Sequence, residues 1–562
     1  MRPRVWAPLA QRMELERDGR RESMRAQARG WWQAESEVPH GADYAFCPDG
    51  GPARPDPRSL CQPHGVHAAS RSFDTARFSW SDAGFRPPGW RSAVVYELHI
   101  GTFTRGGTFE AAIAKLHHLT ALGITHVEIM PVAAFPGARG WGYDGVALFA
   151  AHQAYGGPEG LQRLVDACHA RGLAVILDVV YNHLGPSGNY LSDFAPYFTA
   201  RYRTPWGKAV NFDGPYSDGV RAFFIDNARS WLRDFHCDGL RLDAVHAIAD
   251  TAAQPFLEDL AQAVHTLAAE CGRELVLIAE SDTNDPRLSA PREAGGVGLT
   301  AQWDEDFHHA LHAAVSGERG GYYSDFGSLE ALAATLRRGF YLDGRYSRFR
   351  KCRHGRPFTA TDASRLVVYA QNHDQTGNRA QGERLSQLVS PGLLRVAAAL
   401  TLLGPGVPLL FQGEEWGATA PFLYFTDHAE PELAQAIRRG RPAGSPDPQA
   451  VRTFARCRLR WDEQDAELLA WYRALIRLRR ATVLAAHDLD QVRVRFNERA
   501  HWLVLARGPW RIACNFAAGA QSIPLGTSAC GWRLQLASAP PTLGKDMATL
   551  PPESVAVYDV RQ

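Results

Sequence analysis

The stretch PEGLQRLVDACHARGLAVILDVVYNH, from Pro158 to His183, decides how the rest of the chain is read. Pro158–Arg171 has helical spacing and stops at Gly172. Ala174–Tyr181 follows as a short apolar run, the pattern of a strand buried on both faces, and it leads into the polar end Asp178-Val-Val-Tyr-Asn-His183.

The same alternation extends in both directions, from Val94 to about Arg480. Upstream, Val94–Thr102 precedes a helical stretch at Thr108–Leu122, and Ile124–Pro131 precedes Pro158–Arg171. Downstream, Val220–Phe235 covers the third strand, Gly239–Val245 precedes Pro255–Ala269, and Leu275–Ala279 ends at Glu280. A weaker sixth unit pairs Leu299–Trp303 with a helix at Leu329–Arg338. Arg365–Gln371 precedes Leu385–Leu402, and Val407–Phe411 precedes Ala466–Arg480. Eight strand–helix units are the number that closes a barrel. A doubly wound open sheet is the alternative, with fewer strands. The expected class is α/β, a (β/α)₈ TIM barrel.

Residues 86–484 are thus the expected barrel, with an insertion at about 184–217 rich in Gly, Pro and aromatics. Residues 1–85 read as a small N-terminal β-sandwich resembling a carbohydrate-binding module. Its first run, Arg4–Trp6, lies so near Met1 that an edge strand is expected to be missing. Residues 485–562 hold the runs Val492–Phe496, Trp502–Ala506, Arg511–Phe516, Trp532–Ala537 and Val555–Val560, the pattern of an antiparallel β-sandwich.

Composition narrows the function. Lys+Arg number 61 against 60 Asp+Glu, so no basic excess is present for nucleic acid or an anionic membrane. The longest candidate span, Leu394 to Leu403, is too short to cross a bilayer. Nine dispersed cysteines without a C-x-x-C pair suit a reducing compartment, and a cytoplasmic protein is expected. Fifteen tryptophans suit either apolar platforms for flat ligands or additional core.

In such a barrel the polar residues at the carboxyl ends of strands form the site. The third strand ends at His183, the fourth reads Gly239-Leu-Arg-Leu-Asp-Ala-Val-His246, the fifth ends at Glu280, and the seventh ends Gln371-Asn-His-Asp374. Carboxylates gathered at one barrel mouth raise one another's pKa and destabilise the fold, so chemistry is the better reason for them. Arg241 and Asp243, two residues apart, share a face, and the guanidinium holds Asp243 ionised as a nucleophile. Glu280 has no local arginine, and neighbouring carboxylates should raise its pKa, as a general acid needs. His373 and Asp374 can bond sugar hydroxyls. His183 and the Trp141–Asp144 loop would close the pocket, with Tyr143 as a stacking platform or as core.

These four strand ends closely resemble the four short motifs of the α-amylase family of glycoside hydrolases (glycoside hydrolase family 13), in order and across the whole barrel. The resemblance implies Asp243 as nucleophile, Glu280 as acid and base, and Asp374 as stabiliser of the transition state. It also implies that Arg241, His183 and His373 contact the sugar on the glycon side. The segments Tyr181–Tyr190, Tyr202–Gly207, Asp243–Ile248, His373–Arg379, Gly413–Gly417 and Phe422–His428 are similar to those of family members that cleave the α-1,4 bond beside the terminal trehalose of maltooligosyltrehalose. Trp206, His246 and Tyr424, on loops on the leaving-group side of Glu280, are the candidate contacts to that group, with packing of the insertion as the alternative for Trp206. Such an enzyme needs no cofactor, and it acts after a maltooligosyltrehalose synthase. A branching or debranching enzyme and a non-catalytic glucan binder are the alternatives. His308, His309 and His312 have metal-like spacing but read as core or solvated histidines. Asp178 and Asn182 could ligate calcium, but Asp178 reads as an internal strut, and no metal is expected. The basic run Arg345–Arg356 is either a loop over the substrate or a solvated turn.

Overall fold

In the computed structural model, which describes residues 1–560, eight parallel strands close into a barrel. They are β1 (Val95–Leu98), β2 (His126–Ile129), β3 (Ala174–Val179), β4 (Gly239–Leu242), β5 (Val276–Ala279), β6 (Ala301–Trp303), β7 (Leu366–Tyr369) and β8 (Val407–Phe411). Every strand residue is buried, as expected for strands with helices outside and side chains inside. Alternation along each strand stacks the interior in layers. Val95, Ile176, Ile278 and Leu409 pack in an apolar floor with Trp90. One step up the same strands stand Glu97, Asp178 and Glu280, and Arg241 lies beside Asp178 in the β3–β4 register. The interior therefore changes from apolar to ionisable toward the carboxyl ends.

The helices follow the expected order, with differences that have local causes. Pro158–Arg171 forms as Gly157–His169. The stretch Leu385–Leu402 divides into Leu385–Leu388 and Pro391–Leu403, because Pro391 cannot continue a helix and Ser390 caps the new one by accepting the Leu393 N–H at 3.1 Å. Thr108–Leu122 similarly divides into Phe109–Ile113 and Leu116–Leu122. The sixth unit has two helices. Glu305–Ser316 follows β6 directly, with Asp304 capping it through the Phe307 N–H, and the expected Leu329–Arg338 comes second.

The strands before the barrel form one sheet of three, from Arg4–Trp6, Arg25–Ala26 and Trp31–Gln33, and another of four built on Met13–Arg17 and Asp43–Pro48. This unit braces the insertion after β3. Trp6 meets Tyr197 edge-on at 5.5 Å, Phe46 meets Phe194, and Arg54 pairs with Asp193 at 2.7 Å while covering Tyr190. The insertion ends in a hairpin, Phe198–Thr204 with Gly207–Val210.

After the barrel, five antiparallel strands face a second sheet of three. Three of those eight strands, Gln521–Pro524, Thr542–Leu543 and Met547–Leu550, are additional to the expected runs. One buried arginine joins this sandwich to the barrel, and a second meets it from the barrel side. Arg507, from the sandwich, donates to the Leu403, Gly404 and Leu484 carbonyls at 2.7–2.9 Å and to Ala486. Arg479 donates to Leu402, Gly404 and Gly406 at 2.7–2.9 Å. They satisfy carbonyls that the helix Pro391–Leu403 leaves open at its end. Burial lowers their pKa values, to about 10 for Arg507 and about 9 for Arg479.

Candidate active site

A cleft of about 760 Å³ opens at the carboxyl ends of the barrel strands. Asp243, Glu280, Asp374, Tyr143, His183, Trp206, Arg241, His373 and Tyr424 all line it. His246 does not; it stands beside Asp282, its Nε2 3.8 Å from Oδ1.

Asp243 follows the last residue of β4 and is held from two sides. Arg241 Nη1 donates to its Oδ1 at 2.8 Å, and Asn182 Nδ2 donates to its Oδ2 at 2.8 Å. The next residue, Ala244, has φ +40°, a left-handed conformation that is costly for a side chain with a Cβ. That turn aims the Ala244 N–H at Glu280 Oε2, 2.6 Å away, while the Val245 N–H bonds the Glu280 carbonyl at 3.0 Å. The ends of β4 and β5 are thereby fixed to each other.

The sequence left Glu280 without an arginine, and here the structure differs: Arg241 Nη2 lies 3.6 Å from Glu280 Oε2. The guanidinium spans from β4 to the neighbouring strand, which spacing along one strand does not reveal. The pKa of Glu280 is nevertheless pushed up to about 8. Burial is the main cause; Arg241 opposes it and Asp243 adds to it. Arg241 is itself buried. Burial would lower its pKa, but Asp178, Tyr143 and Asp243 outweigh that and raise it well above its usual value.

Asp178 accepts from Arg241 Nη1 at both oxygens, at 3.0 and 2.9 Å, and from the Tyr143 hydroxyl at 2.7 Å, the bonding of a strut. Burial pushes its pKa up to about 6 against the pull of Arg241. Asp374 is the second residue of the short helix His373–Gly377, capped by Asn372, and accepts from Asn378 Nδ2 at 2.6 Å. Trp206 sits at the turn of the insertion hairpin. Its ring stacks on His183 at 4.2 Å and 5°, and it remains 49% exposed. Tyr424 packs edge-on against Trp141 and under Arg441, whereas Phe422 and Phe425 beside it are buried.

Two further residues line the cleft that sequence reasoning passed over, Glu305 and Arg441. Glu305 accepts from the Tyr369 hydroxyl at 2.6 Å and Gln375 Nε2 at 2.9 Å, and burial raises its pKa to about 7. Its signal was available: Trp303-Asp-Glu-Asp306 is an acidic strand end like the other four. Arg441 reaches Asn378 at 3.0 Å from a helix outside the barrel alternation. His308, His309 and His312 are buried in a helix; His308 bonds the Ala370 carbonyl and Tyr323, and His312 bonds Glu318. Within the basic run, Arg350 pairs with Asp282 at 3.1 Å, beside His246.

Known proteins align with this arrangement. The profile of "Alpha amylase, catalytic domain" matches residues 71–204, and that of a domain of unknown function, DUF3459, matches residues 487–557. A malto-oligosyltrehalose trehalohydrolase from Arthrobacter ramosus is 51% identical, over 92% of this chain and 93% of that protein. Another from Mycobacterium tuberculosis is 48% identical over 99% of this chain and 98% of its own length. A crystal structure of a "Putative alpha Amylase" from Salmonella typhimurium superposes with a TM-score of 0.91 at 38% identity, covering 99% of this chain and 97% of that one.

Proposed function

The chain belongs to the malto-oligosyltrehalose trehalohydrolase family of α-amylase-type glycoside hydrolases, and on that premise we propose how its cleft releases trehalose. The reaction is hydrolysis of the α-1,4-glucosidic bond joining a maltooligosaccharide to a terminal trehalose. Glu280 gives its proton to the departing trehalose oxygen while Asp243 attacks the anomeric carbon. Water deprotonated by Glu280 then frees the maltooligosaccharide with retained configuration. Asp374 bonds the ring hydroxyls as charge develops. Tyr143, His183, Arg241 and His373 hold the glycon sugar, and Trp206 and Tyr424 face the leaving group.

One observation carries this reading. A single guanidinium lies against both carboxyl groups, yet burial keeps Glu280 protonated to about pH 8 while Asp243 accepts from Arg241 and Asn182. A protonated acid beside a carboxylate poised to attack is the division of roles that retention needs. The substrate comes from an enzyme that forms the terminal trehalose linkage, and we place the chain in the cytoplasm; among the described residues no helix is long and apolar enough to cross a membrane. We also take residues 1–85, 86–484 and 485–562 as its three domains.

The test is product analysis on maltooligosyltrehalose, a linear maltooligosaccharide and a branched glucan. Trehalose is expected from the first, at a kcat/KM well above that for cleavage of the others. Branch points formed or removed in the glucans, with no trehalose from the first substrate, would return the chain to the branching and debranching enzymes.

A further inference from the structure

Inside the barrel, beside the catalytic carboxyl groups, lie two glutamates that the mechanism does not use. Glu97 on β1 and Glu128 on β2 are direct partners in the parallel register, and each is 1% exposed. Their bonding differs sharply. Glu97 accepts the backbone N–H of His373 at 3.0 Å and the Nδ1–H of the same residue. Neither oxygen of Glu128 has a hydrogen-bond partner among the described residues. An unpartnered carboxylate in a barrel interior is costly, and a second carboxylate beside it adds to the cost; the neutral acid avoids both. Burial and then Glu97 raise the pKa of Glu128 well above its usual value.

The far side of His373 fixes its charge. The Tyr143 hydroxyl lies 2.8 Å from His373 Nε2 and 2.7 Å from Asp178 Oδ2. Asp178 also accepts from Arg241 at both oxygens, the bonding of an ionised carboxylate. The one phenolic proton therefore goes to Asp178, and the phenolic oxygen is left to accept from Nε2. With Nδ1 donating to Glu97, both ring nitrogens carry hydrogen, which makes the ring a cation.

We propose that Glu97 and Glu128 hold one proton between them, on Glu128, and that the charge on Glu97 keeps His373 an imidazolium at neutral pH. Glu97 is then a positioning residue. It fixes the cation from which Tyr143, Asp178 and Arg241 lead to Asp243. The other groups facing this cation are Asp374, adjacent in sequence, and His99, just after β1, which burial keeps neutral by lowering its pKa to about 3. Burial alone would lower the pKa of His373, and Glu97 reverses that into a net rise. The cation is present below this raised pKa and lost as pH climbs through it; removing Glu97 moves the loss to lower pH.

The kinetic consequence rests on the proposed catalytic role of the cleft, but the protonation itself can be read without substrate. In the full chain labelled with 13C-histidine, the His373 Cε1 resonance is assigned by its absence in His373→Asn and followed with pH. Wild type should show the imidazolium through neutral pH. In Glu97→Gln the titration should fall by about one to two pH units, with kcat lost from the alkaline side. In Glu128→Gln, which replaces one neutral group by another, His373 should titrate as in wild type. A neutral His373 at pH 7 in wild type, an unmoved titration in Glu97→Gln, or equal shifts in both variants would overturn the proposal. If Glu97→Gln does not fold, the wild-type and Glu128→Gln titrations decide. A charged His373 in a chain that releases no trehalose would remove only the proposed activity.

Discussion

Arg241 contacts three acids at once, Asp178, Asp243 and Glu280. It bonds Asp243 at 2.8 Å, and from 3.6 Å its charge does not overcome the burial that raises the pKa of Glu280. Glu280→Gln should therefore keep the site's shape and cost on the order of 10²–10⁴-fold in kcat on maltooligosyltrehalose. The loss should be smallest on a glycoside whose leaving group departs without protonation; equal losses on both would take the general-acid role from Glu280. In wild type, activity should fall as pH rises through about 8, where Glu280 gives up its proton. The residues at strand ends were legible in the sequence because four charged ends converge on one barrel mouth, where capping or an ion pair explains any one of them but not all four. Glu97 was not, since it sits inside such a run, and its partner His373 is far away in the chain. The Arg241–Glu280 contact was hidden for the same reason: it crosses strands.

At the scale of elements, the insertion after β3 gives the cleft its outer wall. The hairpin bearing Trp206 is exposed at its turn, but the loop beneath it is fastened to the N-terminal unit through Tyr197, Phe194 and Asp193. Trp206 has one face on His183, so the opposite face is available to a sugar ring. Trp206→Ala should leave a folded, active enzyme whose preference for maltooligosyltrehalose over plain maltooligosaccharides narrows by roughly 1–2 kcal/mol in the ratio of kcat/KM values. If both substrates slow equally, the tryptophan only packs the loop. The barrel's strands could be read because burial on both faces leaves short, mostly apolar runs, and most of its helices because helical spacing follows each run. Breaks set by one proline, as at Pro391, and strands of two to four residues in the last domain carry too little periodicity to be seen.

Across the whole molecule, the ionisable layer sets stability against function. A Glu280 carboxyl with a native pKa of about 8 and an unfolded value near 4.5 binds a proton in the folded state that the unfolded chain has released. Its contribution is fully present below about pH 4.5 and declines as pH rises toward 8, a loss on the order of 3 kcal/mol at neutral pH. Glu280→Gln has no such proton to lose, so its thermal midpoint should exceed that of wild type by a few degrees at pH 7 and converge with it in acid. An identical gap at both pH values would mean that the carboxyl titrates normally in the fold. The seam between barrel and sandwich has a different consequence. Arg507 leaves its own sheet to bond carbonyls of the barrel, and Arg479 bonds the same helix end from the barrel side. The last domain is therefore not an interchangeable module. A chimera that grafts a relative's sandwich onto this barrel inherits a docking site missing one of its two cations unless the donor brings an arginine at the position of Arg507.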